Sequence, residues 1–335
     1  MLTFTDKGIY CAQADLYIDP WRPVPKAVIT HAHSDHARYG MKHYLAHRKS
    51  IPVMKHRLGA DIKTEALEYG EERIIGGVKL SLHPAGHIPG SSQVRLEYKG
   101  EVWLVSGDYK LDDDGLSTPF EPVKCHHFIT ESTFGLPVFR WPDQHEVYRD
   151  INAWWKSNAE AGRNSVLFAY ALGKTQRILK HLDPSIGEVF THGAVENTNL
   201  VLKDAGIDVP PTTLVEAEMK KDRFEGAFII APPSAMGTSW MRRFGDYQTG
   251  IASGWMMMRG TRRRRNADRG FVLSDHADWG QLNEAIRLSE AEHIYVTHGY
   301  TSVFTKYLQE QGFDAHVVTT EFEGEVDGQG ESAED

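Results

Sequence analysis

Apolar and polar positions change rhythm along this chain. Over the first third, short apolar runs are broken by Gly and Pro turns, which is the spacing of strands. Ala27-Val28-Ile29-Thr30 is one such run, and the span from Ile74 to Leu82 holds another. Val94 to Tyr98 and Val102 to Ser106 predict a hairpin around Lys99-Gly100, with Phe128-Ile129-Thr130 as a further strand. From about Asp143 helices and strands alternate. A helix is predicted over Gln144 to Glu160, a strand over Ser165 to Tyr170 and a helix over Thr175 to Leu182. Strands follow at Val189-Phe190, Phe228-Ile229-Ile230 and Gly250-Ile251-Ala252, with helices between. That alternation predicts a parallel sheet in a second α/β unit. Beyond Arg269 come strand Phe271 to Leu273, helix Trp279 to Ser289, strand Ile294 to Val296, helix Ser302 to Gln309 and strand His316 to Thr319.

Composition adds bounds. The chain has 335 residues, 41% of them hydrophobic, enough for a sizeable core and more than one structural unit. No apolar run reaches membrane-spanning length, and MLTFTDKGIYCAQ lacks the layout of a secretory signal, so no membrane partner is expected. With Cys11 and Cys125 as the only cysteines, a disulfide framework is not expected and the cytoplasm is the expected location. The net charge of -9 is concentrated at one end. The last fifteen residues hold seven acidic side chains and no Lys or Arg, and without them the balance is -2. Residues 321–335 therefore read as a disordered, solvating tail.

The chain also has 17 histidines, and the chemistry lies in which of them converge. Val28-Ile29-Thr30-His31-Ala32-His33-Ser34-Asp35-His36 runs an apolar strand into four potential ligands. On an extended loop His31 and His33 point the same way. A helix starting just after the loop would place Asp35 and His36 at its N-terminus, so that one segment serves two neighbouring metal positions. Imidazole and carboxylate suit Zn²⁺ and, less tightly, Mn²⁺.

This HxHxDH pattern resembles the signature of the metallo-β-lactamase superfamily. The rest of the signature has counterparts in order: His87 in Pro84-Ala85-Gly86-His87, Asp108 ending Val105-Ser106-Gly107-Asp108, and His298 in Val296-Thr297-His298-Gly299. The resemblance implies two divalent cations, Zn²⁺ or Mn²⁺ before Mg²⁺. His31, His33, His87 and Asp108 would hold one, and Asp35, His36, Asp108 and His298 the other. An acid on the preceding strand, Asp15 or Asp19, would steady the loop.

Further segments resemble the β-CASP branch, whose members process nucleic acids. They are Thr130-Glu131-Ser132-Thr133-Phe134-Gly135, Ala171-Leu172-Gly173-Lys174-Thr175-Gln176, Ala231-Pro232-Pro233-Ser234-Ala235-Met236-Gly237 and Leu273-Ser274-Asp275-His276-Ala277-Asp278. The implied fold is an α/β αββα sandwich with an inserted β-CASP α/β domain. Its expected division is 1–142 for the first part of the sandwich, 143–262 for the insert, 263–320 for the return and 321–335 for the tail. The resemblance implies that Asp35 orients the attacking water. His276 would protonate the leaving oxygen or hold a phosphate oxygen, and Glu131 would orient a ligand histidine. Gly173-Lys174-Thr175 is not a Walker loop, because Phe168 stands where that motif needs Gly. Lys174 at a helix start, Ser234, and the basic run Arg262, Arg263, Arg264 and Arg265 are candidate nucleic-acid contacts. Trp255 with Met256, Met257 and Met258 is assigned to core packing.

Tyr17-Ile18-Asp19-Pro20-Trp21-Arg22-Pro23-Val24, followed by THAHSDHARYG, is similar to the bacterial ligase-associated DNA exonucleases. That likeness implies DNA as substrate, 5′ to 3′ digestion, and a DNA ligase and a helicase as partners in repair. His298 points toward RNA, since several DNA-acting relatives carry an apolar residue there and RNA-acting ones carry His. A ribonuclease or RNA 3′-end processing enzyme is the alternative.

Overall fold

The computed structural model describes residues 1–260 and 267–320. Arg262 to Arg265 and the acidic tail lie outside the described residues.

Six strands open the chain: β1 (Leu2–Thr5), β2 (Gly8–Cys11), β3 (Leu16–Ile18), β4 (Ala27–Ile29), β5 (Tyr44–His47) and β6 (Thr64–Leu67), with α1 (Ile51–Leu58) between the last two. They form one sheet in sequence order. Next come β7 (Glu72–Ile75), β8 (Val78–Pro84), β9 (Ser92–Tyr98), β10 (Glu101–Val105) and β11 (His127–Ser132). The β9–β10 hairpin turns at Lys99 (φ 52°) and Gly100 (φ 86°), the paired positive φ angles that match strand twist in a two-residue turn.

The chain then builds α2 (Gln144–Glu160), β12 (Asn164–Phe168), α3 (Lys174–Lys180), β13 (Val189–Thr191), α4 (Gly193–Asp204), β14 (Thr213–Leu214), β15 (Phe228–Ala231), β16 (Tyr247–Ala252) and β17 (Arg269–Phe271). It ends with α5 (Trp279–Ser289), β18 (His293–Gly299), α6 (Thr301–Glu310) and β19 (Asp314–Val317).

Two compact units result: Met1–Arg140 with the segment from His276, and Trp141–Asp275. In the first, a seven-stranded sheet ordered β19-β18-β11-β10-β9-β8-β7 lies against the six-stranded one. Strand alternation explains the layering. Trp103 and Val105 of β10 join Leu80, Leu82, Val94 and Leu96 in a core shared with Ile9, Val28, Leu45 and Leu67 of the first sheet. Val102 and Leu104 point the other way, toward Leu282 and Ile286 of α5 and Phe304 and Leu308 of α6. Each such fully buried aliphatic side chain contributes roughly 1.5–3 kcal/mol.

The second unit holds a sheet ordered β14-β13-β15-β12-β16-β17 in which neighbouring strands are parallel. Its central strand β12 is buried throughout, hence the unbroken apolar run Val166-Leu167-Phe168. Asp143 caps α2 by accepting from the amides of His145 and Glu146, and Val147, Ile151, Trp154, Trp155 and Asn158 are buried at helical spacing. Trp255 and Met256 are in the core, whereas Met258 is exposed.

Two expectations need correction. No helix follows the HxHxDH loop: the chain makes a turn closed by the His36 and Ala37 amides on the His33 carbonyl and runs on to β5. The return to the first unit comes at His276 rather than 263, because Arg269–Phe271 pairs with β16 in the insert's sheet.

Candidate metal centre

The centre forms where strands of the two facing sheets end. Ala27, Val28 and Ile29 bury β4 completely and deliver Thr30 and His31 to its tip. Asp19 steadies this loop. One carboxylate oxygen accepts from the Thr30 amide at 2.8 Å; the other accepts from Thr30 Oγ1 at 2.5 Å and pairs with His36 Nδ1 at 2.7 Å. With the Nδ1 proton given to Asp19, His36 turns Nε2 toward Asp108, 3.4 Å away. Asp15 is exposed and takes a hydrogen bond from the Tyr10 hydroxyl at 3.0 Å. Of the two candidate acids, the one at the loop is Asp19; Asp15 is not at the centre.

His87 follows Gly86, whose left-handed backbone (φ +74°) lies so near the chain that an added Cβ would sit 2.2 Å from the Lys110 carbonyl. The Ser91 hydroxyl accepts from the His87 amide at 3.1 Å. His298 at the end of β18 adopts φ 58°, unusual for a residue with a side chain. The Ser132 hydroxyl donates to its carbonyl at 2.6 Å. Nothing in the apolar pattern singled out Ser132, Thr30 or Arg57, which donates to the Ala32 carbonyl inside the HAH segment.

Asp108 is the hub. Its Oδ2 lies 3.5 Å from His31 Nε2, 3.4 Å from His36 Nε2 and 3.9 Å from His87 Nε2, while Oδ1 lies 3.5 Å from His298 Nδ1. Two ligands on one tetrahedral ion at bond lengths of 2.0–2.2 Å are about 3.3–3.6 Å apart, so these separations fit shared cations better than direct hydrogen bonds. Donor atoms of His31, His33, His87 and Asp108 fall within 4.8 Å of one another, as do those of His36, Asp108 and His298, and those of His31, Asp35 and His36. His31 Nε2 and Asp108 Oδ1 are buried and make no hydrogen bond among the described residues, which suits atoms whose role is metal ligation. The residues therefore fit divalent metal binding.

Charge follows the same geometry. Burial raises Asp108, but His36, His276 and His298 outweigh it and hold the carboxyl well below the usual carboxylate range. Burial and then His36 push His31 well below the ordinary imidazole value; burial and then His276 do the same to His87. Burial also lowers His36, yet Asp35, Asp108 and Asp19 carry it well above that value.

Glu131 departs from its expected role. It meets His276, with Nδ1 donating to Oε2 at 3.0 Å, rather than one of the seven expected ligands. Glu131 also accepts from the Tyr109 amide at 2.8 Å and from Thr133 Oγ1 at 2.5 Å. Lys174 is not a surface residue: it is 1% exposed and lies 3.6 Å from Asp275. Ser234 is exposed on a short 3₁₀ turn after β15.

No protein-family model matches the chain. It is similar to a probable DNA ligase of Opitutus terrae, 31% identical over 314 residues, which is 93% of this chain and 30% of that protein. An RNase J-like protein of Methanocaldococcus jannaschii is 28% identical over 184 residues, 47% of this chain and 43% of that one. Cleavage and polyadenylation specificity factor 73 of Drosophila melanogaster is 28% identical over 123 residues, 36% of this chain and 18% of that one. The chain belongs to the metallo-β-lactamase/β-CASP family. Its fold is accordingly the metallo-β-lactamase sandwich with the β-CASP unit inserted between β11 and α5. The fold is similar to that in a crystal structure of a protein of unknown function from Enterococcus faecalis, with a TM-score of 0.57 at 13% identity over 88% of this chain and 79% of that one. The chain spans less than half the length of each curated relative named here. Among the described residues no helix is long and apolar enough to cross a membrane.

Proposed function

We propose that this chain is a metal-dependent DNA exonuclease, digesting 5′ to 3′ in repair alongside a DNA ligase and a helicase in the cytoplasm. The observation that carries the proposal is the cluster around Asp108, joined to likeness over 93% of the chain to a probable DNA ligase. His31, His33, His87 and Asp108 would hold one divalent ion, and Asp35, His36, Asp108 and His298 a second, Zn²⁺ or Mn²⁺ by the donor set. When bound, such a pair lowers the pKa of water and stabilises charge on the attacking and leaving oxygens. Asp35 orients the water. Glu131 accepts a hydrogen bond from Nδ1–H of His276 and so stabilises the ring in its doubly protonated form. The Nε2 proton then goes to the leaving oxygen, or bonds a non-bridging phosphate oxygen.

A ribonuclease is the second reading. His298, together with the partial likeness to the RNase J-like protein, favours it. DNA and RNA of matched sequence, labelled at either end and incubated with Mn²⁺, Mg²⁺ or Zn²⁺, separate the two. Release of nucleotides from the 5′ end of DNA is expected; degradation of RNA alone overturns the first choice. His276→Ala is expected to slow turnover by about 10²–10⁴-fold, the worth of a general acid, with metal content unchanged. Full turnover by this variant removes His276 from the chemistry.

A further inference from the structure

Arg177 of α3 is 0% exposed and Lys174, one turn earlier, 1%. Both cations converge on Asp275: Arg177 pairs with Oδ1, and Lys174 Nζ lies 3.6 Å from Oδ2. Lys174 also sits 4.8 Å over the Tyr170 ring. Burying charge in this way is costly and weak as a source of stability, so its use is to be sought in what it fixes. Asp275 is 3% exposed and directly precedes His276. From Val272 to His276 the chain belongs to no strand or helix, so no regular backbone ladder sets its path. On the far side of His276 the path is set: the Ala277 amide donates to the Tyr109 carbonyl at 2.6 Å, and Tyr109 and His276 both bond Glu131.

We infer that Lys174 and Arg177 are positioning residues that hold Asp275 and so fix the backbone from which His276 is presented. The inference rests on the nuclease reading only for its consequence in turnover. Asp275→Asn keeps the shape and removes the charge that both cations meet. It is expected to lower kcat on 5′-labelled DNA by on the order of 10–100-fold, the cost of a small misplacement. KM is expected to stay within about twofold, since substrate binding is untouched, and metal per chain to be unchanged. The deciding measurement is the cycle with His276→Ala. If Asp275 acts through His276, the double variant is no slower than His276→Ala alone. Losses that multiply, or an Asp275→Asn enzyme with full kcat, overturn the inference. Should Asp275→Asn not fold, Lys174→Met takes its place in the cycle, with Lys174→Arg expected to restore the rate. A readout independent of activity is the NMR signal of the His276 Nδ1 proton, assigned by its loss in His276→Ala. It is expected to shift or broaden in Asp275→Asn. A wild type without nuclease activity but with that shift defeats the nuclease reading alone; an unmoved signal defeats this inference.

Discussion

At the scale of single residues, Asp19 shows what a sequence withholds. Asp15 and Asp19 flank β3, one before Leu16 and one after Ile18, and nothing in their spacing tells which one turns inward. The outcome depends on burial: Asp19 is 2% exposed and meets Thr30 and His36, whereas Asp15 faces solvent beside Tyr10. Lys174 carries the same lesson. A lysine at a helix start normally stays in water, but the distant Asp275 and the Tyr170 ring meet this one in the interior. The clustered His and Asp side chains were legible because metal chemistry restricts candidate ligands to few residue types at ordered strand ends. Residues that steer them, such as Asp19, Ser132 and Arg57, are drawn from a larger menu and come from remote positions. The two acids give a direct comparison. Asp19→Asn should weaken metal binding about 10–100-fold, the usual cost of losing a partner that orients a ligand histidine, in a titration against a competing chelator. Asp15→Asn should bind as wild type. Equal affinities in both variants would remove Asp19 from the centre.

Elements were more legible than their joints. Helix α2 spans Gln144–Glu160 as its periodicity predicts, and α5 spans Trp279–Ser289 as expected. The loops between them carry the function, and their paths answer to close approaches that periodicity cannot express. Gly86 is the clearest instance, since backbone angle and lack of space both demand glycine. Gly100 has the same sign of φ (+86°), but an added Cβ there meets nothing within 4 Å. Gly100→Ala should therefore lose only the left-handed backbone penalty of about 1–2 kcal/mol. Gly86→Ala adds overlap with the Lys110 carbonyl, typically costing a further ~1–3 kcal/mol, and should displace His87 and lower metal content. Urea unfolding of both variants tests this, and equal losses would show that the loop yields freely around Gly86. The same reasoning explains the misplaced return boundary: Phe271-Val272-Leu273 reads as a strand from its residues, but which sheet it joins depends on its neighbour.

For the molecule as a whole, the centre and the first unit's stability are linked. The two facing sheets close over a buried group of histidines and carboxylates that includes His36, held well above its ordinary value by burial-opposing attraction from Asp35, Asp108 and Asp19. A raised folded-state value means that metal-free protein draws stability from His36 at pH below its unfolded value, and loses it as pH rises through the folded one. A bound cation reverses this dependence, because it must displace that proton and so binds better as pH rises. Excess metal at about 100 times its dissociation constant stabilises by roughly 2.7 kcal/mol per site, or several degrees in melting temperature at about 2–4 °C per kcal/mol. The gap between metal-loaded and chelator-treated protein should thus be wide at pH 8 and narrower at pH 6, in thermal melts of the full chain. His31 and His87 do not oppose the trend, since burial and their neighbours push both well below the ordinary imidazole value. Coincident melts at pH 8 would mean that no cation is held by these side chains, and a gap that widens toward pH 6 would mean that His36 is not among the groups a cation deprotonates.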